Sequence, residues 1–397
     1  MYSSLDLDLR PGSGLGIFEI GSSLWSVLDL LRQNNTTFPR VDIKFEPQPA
    51  STTPVILHVP PHLNLLFSGR HQRLRTITLQ RLRDPSLLLT LRYREIVLSS
   101  SDEKLKRVDV SRHFGPTYPG DGLQYPGVIF SFDEDGIAEG FVSPISGVDD
   151  RLREVRRVIV TQNDPDGEES DALDEVLELP SMFGSIRRAV VKAGEGIDMY
   201  FYPSSSQPVR VRIGMTSAQD LNCDLGPPLR VYHKEDDRMA IHATKQSHGT
   251  IGDAYFYNYF QHGIDFMLSG TSHLVQKIIL HSNVPGSPMF QRYQRCPWEI
   301  EGEPEDEEDD SPPRMQFFDK FEIISHFLNP NSRHDVPSML LDRADDDMLT
   351  LPGATTRTAL FLRSVTSLTF AFAGLAGFEG VILEVTESGQ VTTAMVF

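Results

Sequence analysis

An internal repeat limits the folds that are open to this chain. Residues 63–79 read LNLLFSGRHQRLRTITL, residues 264–280 read IDFMLSGTSHLVQKIIL, and the two align without a gap at an offset of 201. Both have a Ser-Gly pair between two apolar runs, which predicts a β-hairpin whose glycine supplies the backbone angles of the turn. We expect the two copies to cover each other's apolar faces and so to make a core.

A helix signal precedes each hairpin. Hydroxyl residues at 22–23 and 216–217 stand before apolar residues three and four positions apart, which is typical of a capped amphipathic helix. Weaker copies of the unit begin at 108–114 and 317–328, and a last hairpin spans 381–396 around another Ser-Gly pair. The sequence therefore predicts an α+β fold of repeated units, each with one short helix followed by an antiparallel β-meander, with more strand than helix.

Two acidic runs divide the chain. Residues 164–178 hold eight Asp and Glu, residues 299–310 hold nine, and neither run contains Lys or Arg. Such runs repel themselves and are typical of solvated linkers. We therefore expect an N-terminal pair of units at 1–162, an acidic linker at 163–178, a central unit at 179–298, an acidic disordered insert at 299–313 and a C-terminal unit at 314–397.

The rest of the chain is nearly neutral and poor in cysteine. Of the net charge of −18, the two runs account for all but one unit, since 38 acidic residues face 37 basic ones elsewhere. Cys223 and Cys296 are too few for a disulfide framework or a four-thiolate metal site. No apolar run opens the chain as a signal peptide would, and Gly and Glu interrupt the apolar stretch 367–383. We therefore expect a cytoplasmic protein without membrane spans.

Arginine is concentrated beside the first hairpin and again at 151–157. The simpler interpretation is a solvated sheet face, which Arg73 and Arg75 would share because they lie two positions apart in a strand. The alternative is contact with anionic lipid, to which each base near a membrane adds about 1 kcal/mol. Nucleic acid is not an expected partner, because the acidic runs oppose it and no recognition motif is present. The candidate lipid contacts are Arg70, Arg73, Arg75, Arg81 and Arg83.

The chain has no recognisable catalytic motif. It lacks a phosphate-binding loop, a nucleophile elbow, a dinucleotide fingerprint, His-Glu-x-x-His and Cys-x-x-Cys. His233, His242 and His248 are too widely spaced to share one turn, so we expect neither a metal nor another cofactor. A hydrolase that uses His113 or His242 with nearby carboxylates stays open, because a triad is spatial and the sequence can miss it.

Aromatic residues crowd positions 255–260. Stacking on nucleic-acid bases is one interpretation of such density. Alternation in a β-strand accounts for it better, with Tyr255, Tyr257 and Tyr259 on one face and Phe256 and Phe260 on the other. We therefore expect core and cross-strand packing here.

Six strings carry a family resemblance: FGPTYPG at 114–120, PGVIFSF at 126–132, DRMAIH at 237–242, DAYFYNYF at 253–260, KIILHSNVPG at 277–286 and YQRC at 293–296. Together they resemble the phagosome assembly factor family. The resemblance runs from the N-terminus to about Ile300 and is strongest over 237–296. It assigns no role to the motif residues themselves, which are Phe114, Gly115, Tyr118, Pro119, Asp237, Tyr257, Asn258, Tyr259, Asn283, Pro285 and Gly286.

The resemblance implies a non-enzymatic cytoplasmic scaffold or adaptor that regulates autophagy. Its implied partner is a large β-propeller protein of the breast carcinoma amplified sequence type, and its implied place is the phagophore assembly site. Phosphoinositide membranes would be reached through that partner. Direct phosphoinositide binding by the chain and a hydrolase without a known motif are the two alternatives.

Overall fold

The protein divides into two compact units. A computed structural model describes residues 5–48, 50–80, 82, 89–100, 102–117, 122–132, 150–163, 175–233, 254–302, 312–330, 339–342, 362–364 and 372–397. Unit 1 comprises 1–46, 53–181 and 351–367, and unit 2 comprises 47–52, 182–350 and 368–397. The predicted segments 179–298 and 314–397 thus both contribute to unit 2, and 351–367 contributes to unit 1.

Unit 1 contains two sheets. Its strands are β1 (Leu5–Arg10), β2 (Gly14–Leu15), β3 (Phe18–Glu19), β4 (Val41–Phe45), β5 (Val55–Val59), β6 (Leu63–Phe67), β7 (Leu74–Leu79), β8 (Leu89–Tyr93), β9 (Ile96–Ser99), β10 (Gly122–Tyr125), β11 (Val128–Ser131), β12 (Arg157–Thr161) and β23 (Leu362–Ser364). The small sheet has the order β3-β2-β1-β8-β9 and the large sheet β10-β11-β12-β7-β6-β5-β4-β23. All pairs are antiparallel except β1 with β8 and β4 with β23.

Unit 2 also contains a small and a large sheet. Its strands are β13 (Ile186–Lys192), β14 (Gly196–Phe201), β15 (Val209–Arg212), β16 (Arg230–His233), β17 (Tyr255–Tyr259), β18 (Ile264–Leu268), β19 (Val275–His281), β20 (Trp298–Glu301), β21 (Arg314–Gln316), β22 (Met339–Asp342), β24 (Phe372–Phe378), β25 (Val381–Thr386) and β26 (Val391–Val396). The orders are β15-β14-β13-β20-β21 and β16-β17-β18-β19-β26-β25-β24-β22. Only β13 and β20 pair in parallel within these two sheets.

The described residues contain four helices, of which two begin at the predicted hydroxyl caps and two follow Lys106 and Lys320. They are α1 (Leu24–Gln33), α2 (Arg107–Phe114), α3 (Ala218–Leu225) and α4 (Phe321–Leu328), with short 3₁₀ turns at Asp150–Leu152 and Pro180–Met182. Ser23 Oγ accepts from the Ser26 N–H at 3.1 Å, and Ser217 Oγ accepts from the Asp220 N–H at 3.3 Å. The helix expected from 317 starts only at Phe321, because the Phe317 N–H bonds to Trp298 O at 3.0 Å. None of the helices in the described part of the chain has the length and apolar character needed to cross a bilayer.

The two units share one topology. The internal repeat of the sequence therefore corresponds to a repeated arrangement of strands. The order β10-β11-β12-β7-β6-β5-β4 corresponds to β24-β25-β26-β19-β18-β17-β16, and the small sheets correspond strand for strand. Each large sheet is completed by two helix-plus-meander segments, because β12 pairs with β7 and β26 pairs with β19. The predicted strand-rich α+β class is confirmed.

The repeated hairpins adopt equivalent turns. The Ser68 N–H donates to Arg73 O at 2.8 Å, and the Ser269 N–H donates to Leu274 O at 3.0 Å. The expectation that glycine supplies the unusual backbone angles is wrong. The left-handed position is the residue before the last of each turn, at Gln72 (φ 51°) and His273 (φ 55°).

The core of unit 2 draws on both sheets and both helices. Trp298 from β20, Leu221 from α3, Ile324 from α4 and Phe266 from β18 belong to one buried cluster. Apolar burial of this extent is the dominant stabilising contribution in a domain of this size. The tyrosine face predicted for β17 is confirmed, since two of its tyrosines are in the cluster and the third packs against it: Tyr255, Tyr259 and Tyr257.

The start of the second acidic run is structured. Glu299 lies in β20 and is buried, 3.3 Å from Arg188 and 3.5 Å from Arg314. The prediction of a disordered insert beginning at 299 is therefore wrong for Glu299–Glu301, because two arginines from neighbouring strands neutralise the buried carboxylate. Two segments lie outside the described residues. They are 303–311, which includes the rest of the second run, and 164–174 of the first run.

Candidate functional site

A buried polar network surrounds Asp265 in unit 2. Oδ1 of Asp265 accepts from Asn258 Nδ2 at 2.8 Å, and Oδ2 accepts from His281 Nε2 at 2.9 Å and from the Tyr293 hydroxyl at 2.7 Å. All four side chains are less than a tenth exposed. We call Asn258, Asp265, His281 and Tyr293 the Asp265 network. Its three donors satisfy a carboxylate that would otherwise be costly to bury.

Strand pairing sets the position of the network. Asn258 of β17 lies directly opposite Asp265 of β18. His281 ends β19, and its ring stacks on that of Tyr293 with 3.7 Å between the centroids. The equivalent cross-strand pair in unit 1 is also polar, with His58 Nδ1 2.6 Å from Asn64 Oδ1. The network thus extends a polar pair that the internal repeat contains twice.

Residues 282–297 form an ordered loop over this network. The Gln291 N–H donates to Asn283 Oδ1 at 2.9 Å, and three residues of the loop are left-handed: Asn283 (φ 45°), Gly286 (φ 87°) and Gln291 (φ 72°). The buried guanidinium of Arg295 donates to the carbonyl oxygens of Ser282 at 2.8 Å and Asn283 at 3.2 Å. Charge-assisted bonds of this kind hold a loop in a single conformation.

Burial sets the ionisation of the aromatic and imidazole groups nearby. It raises the pKa of the Tyr293 hydroxyl above its usual range, and the negative charge of Asp265 acts in the same direction. Burial also raises the pKa of Tyr259, whose hydroxyl donates to Gly226 O, the cap of α3, at 2.9 Å. Burial lowers the pKa of His262 to about 4. Both tyrosines are therefore neutral donors at physiological pH.

The geometry of the network favours a structural role over a catalytic one. His281 and Asp265 form a pair of the kind that assists proton transfer. However, the second ring nitrogen of His281, Nδ1, is buried and has no hydrogen-bond partner in the described residues. A base must come within hydrogen-bond reach of its substrate. The network therefore holds the loop 282–297 and presents no reactive atom.

Comparison with known proteins identifies the family of the chain. The family model described as phagosome assembly factor 1 matches residues 14–397. The chain belongs to the phagosome assembly factor 1 family. The match continues beyond Ile300, where the sequence resemblance ended, and it includes the last strands, which complete the large sheet of unit 2. Residues 282–297 and the network beneath them lie within the part of the chain that the family model matches.

Relatives in plants and animals match over most of their length. A PHAF1 protein of Arabidopsis thaliana is 26% identical over 98% of this chain and 92% of its own length. A PHAF1 protein of Caenorhabditis elegans is 23% identical over 96% of this chain and 90% of its own. A PHAF1 protein of Drosophila melanogaster is 25% identical over 75% of this chain and 74% of its own length. No solved structure matches the chain.

The motif residues of the family build the framework of both units. In unit 1 the Phe114 ring stacks on Tyr93 with 4.4 Å between centroids, and Gly115 ends α2 at φ 92°. In unit 2 Tyr257, Asn258 and Tyr259 belong to β17, and Asn283, Pro285 and Gly286 belong to the loop 282–297. Tyr118, Pro119 and Asp237 lie outside the described residues.

The expected solvent-exposed face of Arg73 and Arg75 is a wrong prediction. Both are buried, at 5% and 3% exposure, because both faces of β7 are covered. Arg73 Nη1 donates to Gly21 O at 3.4 Å and Arg75 Nη1 donates to Gln162 Oε1 at 3.2 Å. Buried guanidinium groups cannot contact a lipid headgroup. Arg70 is exposed, and Arg81 and Arg83 lie outside the described residues.

A surface cavity in unit 1 is lined by three other arginines, two of which lie in the arginine-rich stretch that follows the first hairpin. It has a volume of about 660 Å³ and is lined by Arg10, Arg92 and Arg94 together with acidic residues. Arg10 pairs with Glu19 at 3.0 Å and Arg92 pairs with Asp6 at 2.9 Å. Because these acids balance the arginines, the cavity offers little net charge to an anion.

The remaining histidine candidates do not assemble a reactive site. His113 lies in the last turn of α2, and within the described residues its ring has neither a hydrogen bond nor an ion pair. His242 lies outside the described residues. In the part of the chain that the structure describes, no three His, Cys, Asp or Glu side chains come close enough to hold a metal ion. The signal that sequence reasoning missed was Asp265, a charged residue between Ile264 and Phe266 in an apolar strand.

Proposed function

We propose that this chain is a non-enzymatic scaffold that regulates autophagy by binding other proteins. Its family is named for the assembly of phagosomes rather than for a reaction. The observation that carries the proposal is the structural use of the motif residues, since those that the structure describes belong to a helix cap, a strand pair and the loop 282–297. Four of them are buried: Asn258, Tyr259, Asn283 and Pro285. Loops held in one conformation suit protein contact, because the interface backbone of pre-organised complexes moves little on binding.

The partner in this proposal is a large β-propeller protein of the breast carcinoma amplified sequence type. Together the two proteins act at the phagophore assembly site. Membrane contact through phosphoinositides is assigned to the partner, because Arg73 and Arg75 are buried and the arginines of the unit 1 cavity are balanced by acids.

Co-expression with the β-propeller protein tests this proposal. We expect the two chains to elute together on size exclusion, with a mass from light scattering that fits a defined stoichiometry. Two separate peaks at micromolar concentration would count against it. Vesicle flotation, with and without phosphoinositide, should recover the complex and not the isolated chain. Recovery of the isolated chain would instead support direct phosphoinositide binding.

A further inference from the structure

The edge strands of the two large sheets differ in whether a further strand pairs with them. The edge strand β4 of unit 1 is covered by β23, and the edge strand β24 of unit 2 is covered by β22. At β10 the side chain of Thr117 donates to Gln124 O at 2.8 Å. The edge strand β16 has only β17 as a neighbour among the strands of the described residues. An exposed edge offers a row of peptide N–H and C=O groups for pairing.

Strand β16 is the repeat equivalent of β4. Asp42 of β4 lies opposite His58, and Arg230 of β16 lies opposite Asn258, the residue that corresponds to His58. The three positions of β4 that pair with β23 are Val41, Asp42 and Ile43. Their equivalents in unit 2 are therefore Leu229, Arg230 and Val231.

Exposure differs sharply between these equivalent positions. Val41 and Ile43 are 0% and 1% exposed. Leu229 and Val231 are 56% and 46% exposed, which is high for aliphatic side chains two positions apart on one face. Val231 lies opposite Tyr257 and so on the tyrosine face of the sheet, where a further strand would extend the packed surface.

We propose that β16 is the docking edge for an extended segment of a partner protein, which adds to the large sheet of unit 2 as a parallel strand. The parallel direction follows from the pairing of β4 with β23 at the equivalent edge. Main-chain hydrogen bonds supply affinity in this mode of recognition, and pockets for alternate side chains supply specificity. The proposal specifies the contact surface of the scaffold proposed above and rests on that function.

The side chains of β16 define the chemistry of the occupant. The positions opposite Leu229 and Val231 call for apolar residues, and the position between them meets Arg230, whose guanidinium lies 5.3 Å from the Tyr232 ring. An acidic residue of the partner segment fits opposite Arg230. The expected sequence pattern of that segment is therefore apolar-acidic-apolar. A second copy of β16 is disfavoured as occupant, because Arg230 of each copy would bring like charge to the shared edge.

A photocrosslinking residue at Val231 tests the occupant in cells that make the full chain. The matched control is the same residue at Gln124, which is exposed on the edge strand β10 but whose carbonyl is already bonded. We expect an adduct at Val231 with an identified partner segment of apolar-acidic-apolar pattern. Three results would overturn the proposal. They are an adduct with residues 234–253 of the same chain, an adduct with β16 of a second copy, and an adduct yield at Val231 no higher than that at Gln124.

Charge exchange tests the same contact with purified protein. A synthetic peptide of the crosslinked segment should bind the full chain, and R230E should weaken it about tenfold. Replacing the acidic residue of the peptide by Lys should restore binding to R230E. Failure of that rescue would overturn the assigned register. If the β-propeller complex forms normally while Val231 gives no adduct, the docking edge is wrong and the scaffold function stands.

Discussion

The Tyr293 hydroxyl lies 2.7 Å from Oδ2 of Asp265, and it joins the loop 282–297 to the centre of β18. Because burial keeps this hydroxyl protonated, it donates to the carboxylate at physiological pH. His281 supplies the second bond to the same oxygen at 2.9 Å. The contact therefore fixes the loop that bears three of the motif residues of unit 2, which are Asn283, Pro285 and Gly286.

Y293F should destabilise the protein by about 1–2 kcal/mol, because it removes one bond to a buried carboxylate and keeps the ring stacked on His281. Y200F is the matched control: the Tyr200 hydroxyl of the same unit has no hydrogen bond in the described residues, so the expected change is within about 0.5 kcal/mol. Urea denaturation measures both. Equal midpoints for Y293F and wild type would contradict the assigned role of the hydroxyl.

His262 should make the protein less stable in mild acid. Its pKa is lowered to about 4 in the folded state by burial, so the unfolded state takes up a proton first as the pH falls. Stability is therefore lost progressively as the pH falls from about 6.5 towards 4, by about 2 kcal/mol between pH 7 and pH 5.

H262F removes this titration and keeps a ring against Tyr259 and Phe201. We expect its free energy of unfolding to fall about 2 kcal/mol less than that of wild type between pH 7 and pH 5. An unchanged slope for H262F would show that His262 titrates normally in the folded protein.

Gly380 allows its turn to lie close to the backbone of another turn, and the equivalent glycine in unit 1 allows the same contact. A Cβ at Gly380 (φ 70°) would lie 2.2 Å from the backbone N of Gly194, and one at the equivalent Gly127 would lie 2.1 Å from that of Gly12. At Gly389 (φ 75°) a Cβ would meet no atom within 4 Å.

G380A should therefore be much more destabilising than G389A. G389A brings only the backbone strain of a positive φ, about 1–2 kcal/mol, whereas G380A adds a clash with backbone that cannot move aside. Thermal unfolding of the two variants measures the difference. Equal losses would show that the two turns do not approach each other as described.

Burial of Arg73 predicts a loss of stability rather than a loss of membrane binding on substitution. R73A removes a buried side chain that donates to Gly21 O and should destabilise by about 2–4 kcal/mol. R70A, at an exposed position of the same turn, should change stability by less than about 0.5 kcal/mol. Vesicle binding lost in R73A at unchanged stability would reinstate the lipid interpretation.

Local patterns predicted the local parts of the fold. The capped helices, the repeated hairpins and the tyrosine face of β17 follow from spacing within a few residues. The parallel pairs of β1 with β8 and β13 with β20 were not predictable in this way, because they join segments far apart in sequence. Alternation placed Arg73 and Arg75 on one face, but only the tertiary structure shows that β7 is covered on both faces.

The Asp265 network was only partly accessible from the sequence. The polar residue at the same place in both hairpins, Asn64 and Asp265, was visible in the repeat alignment. Its partners Tyr293 and His281 are brought together by the loop 282–297, whose path depends on a left-handed Asn283 and on the carbonyl contacts of Arg295. Neither the left-handed backbone of Asn283 nor the contacts of Arg295 produce a regular spacing of residues that a sequence pattern would show.

Affinity purification of the tagged full chain from its own cells, fed and starved, tests the central claim most directly. The scaffold account predicts that a β-propeller protein is recovered in near-equal amount by mass spectrometry under mild lysis. Recovery of the chain alone, or of enzymes of a metabolic route in its place, would contradict a function based on protein assembly and would reopen the search for an active site.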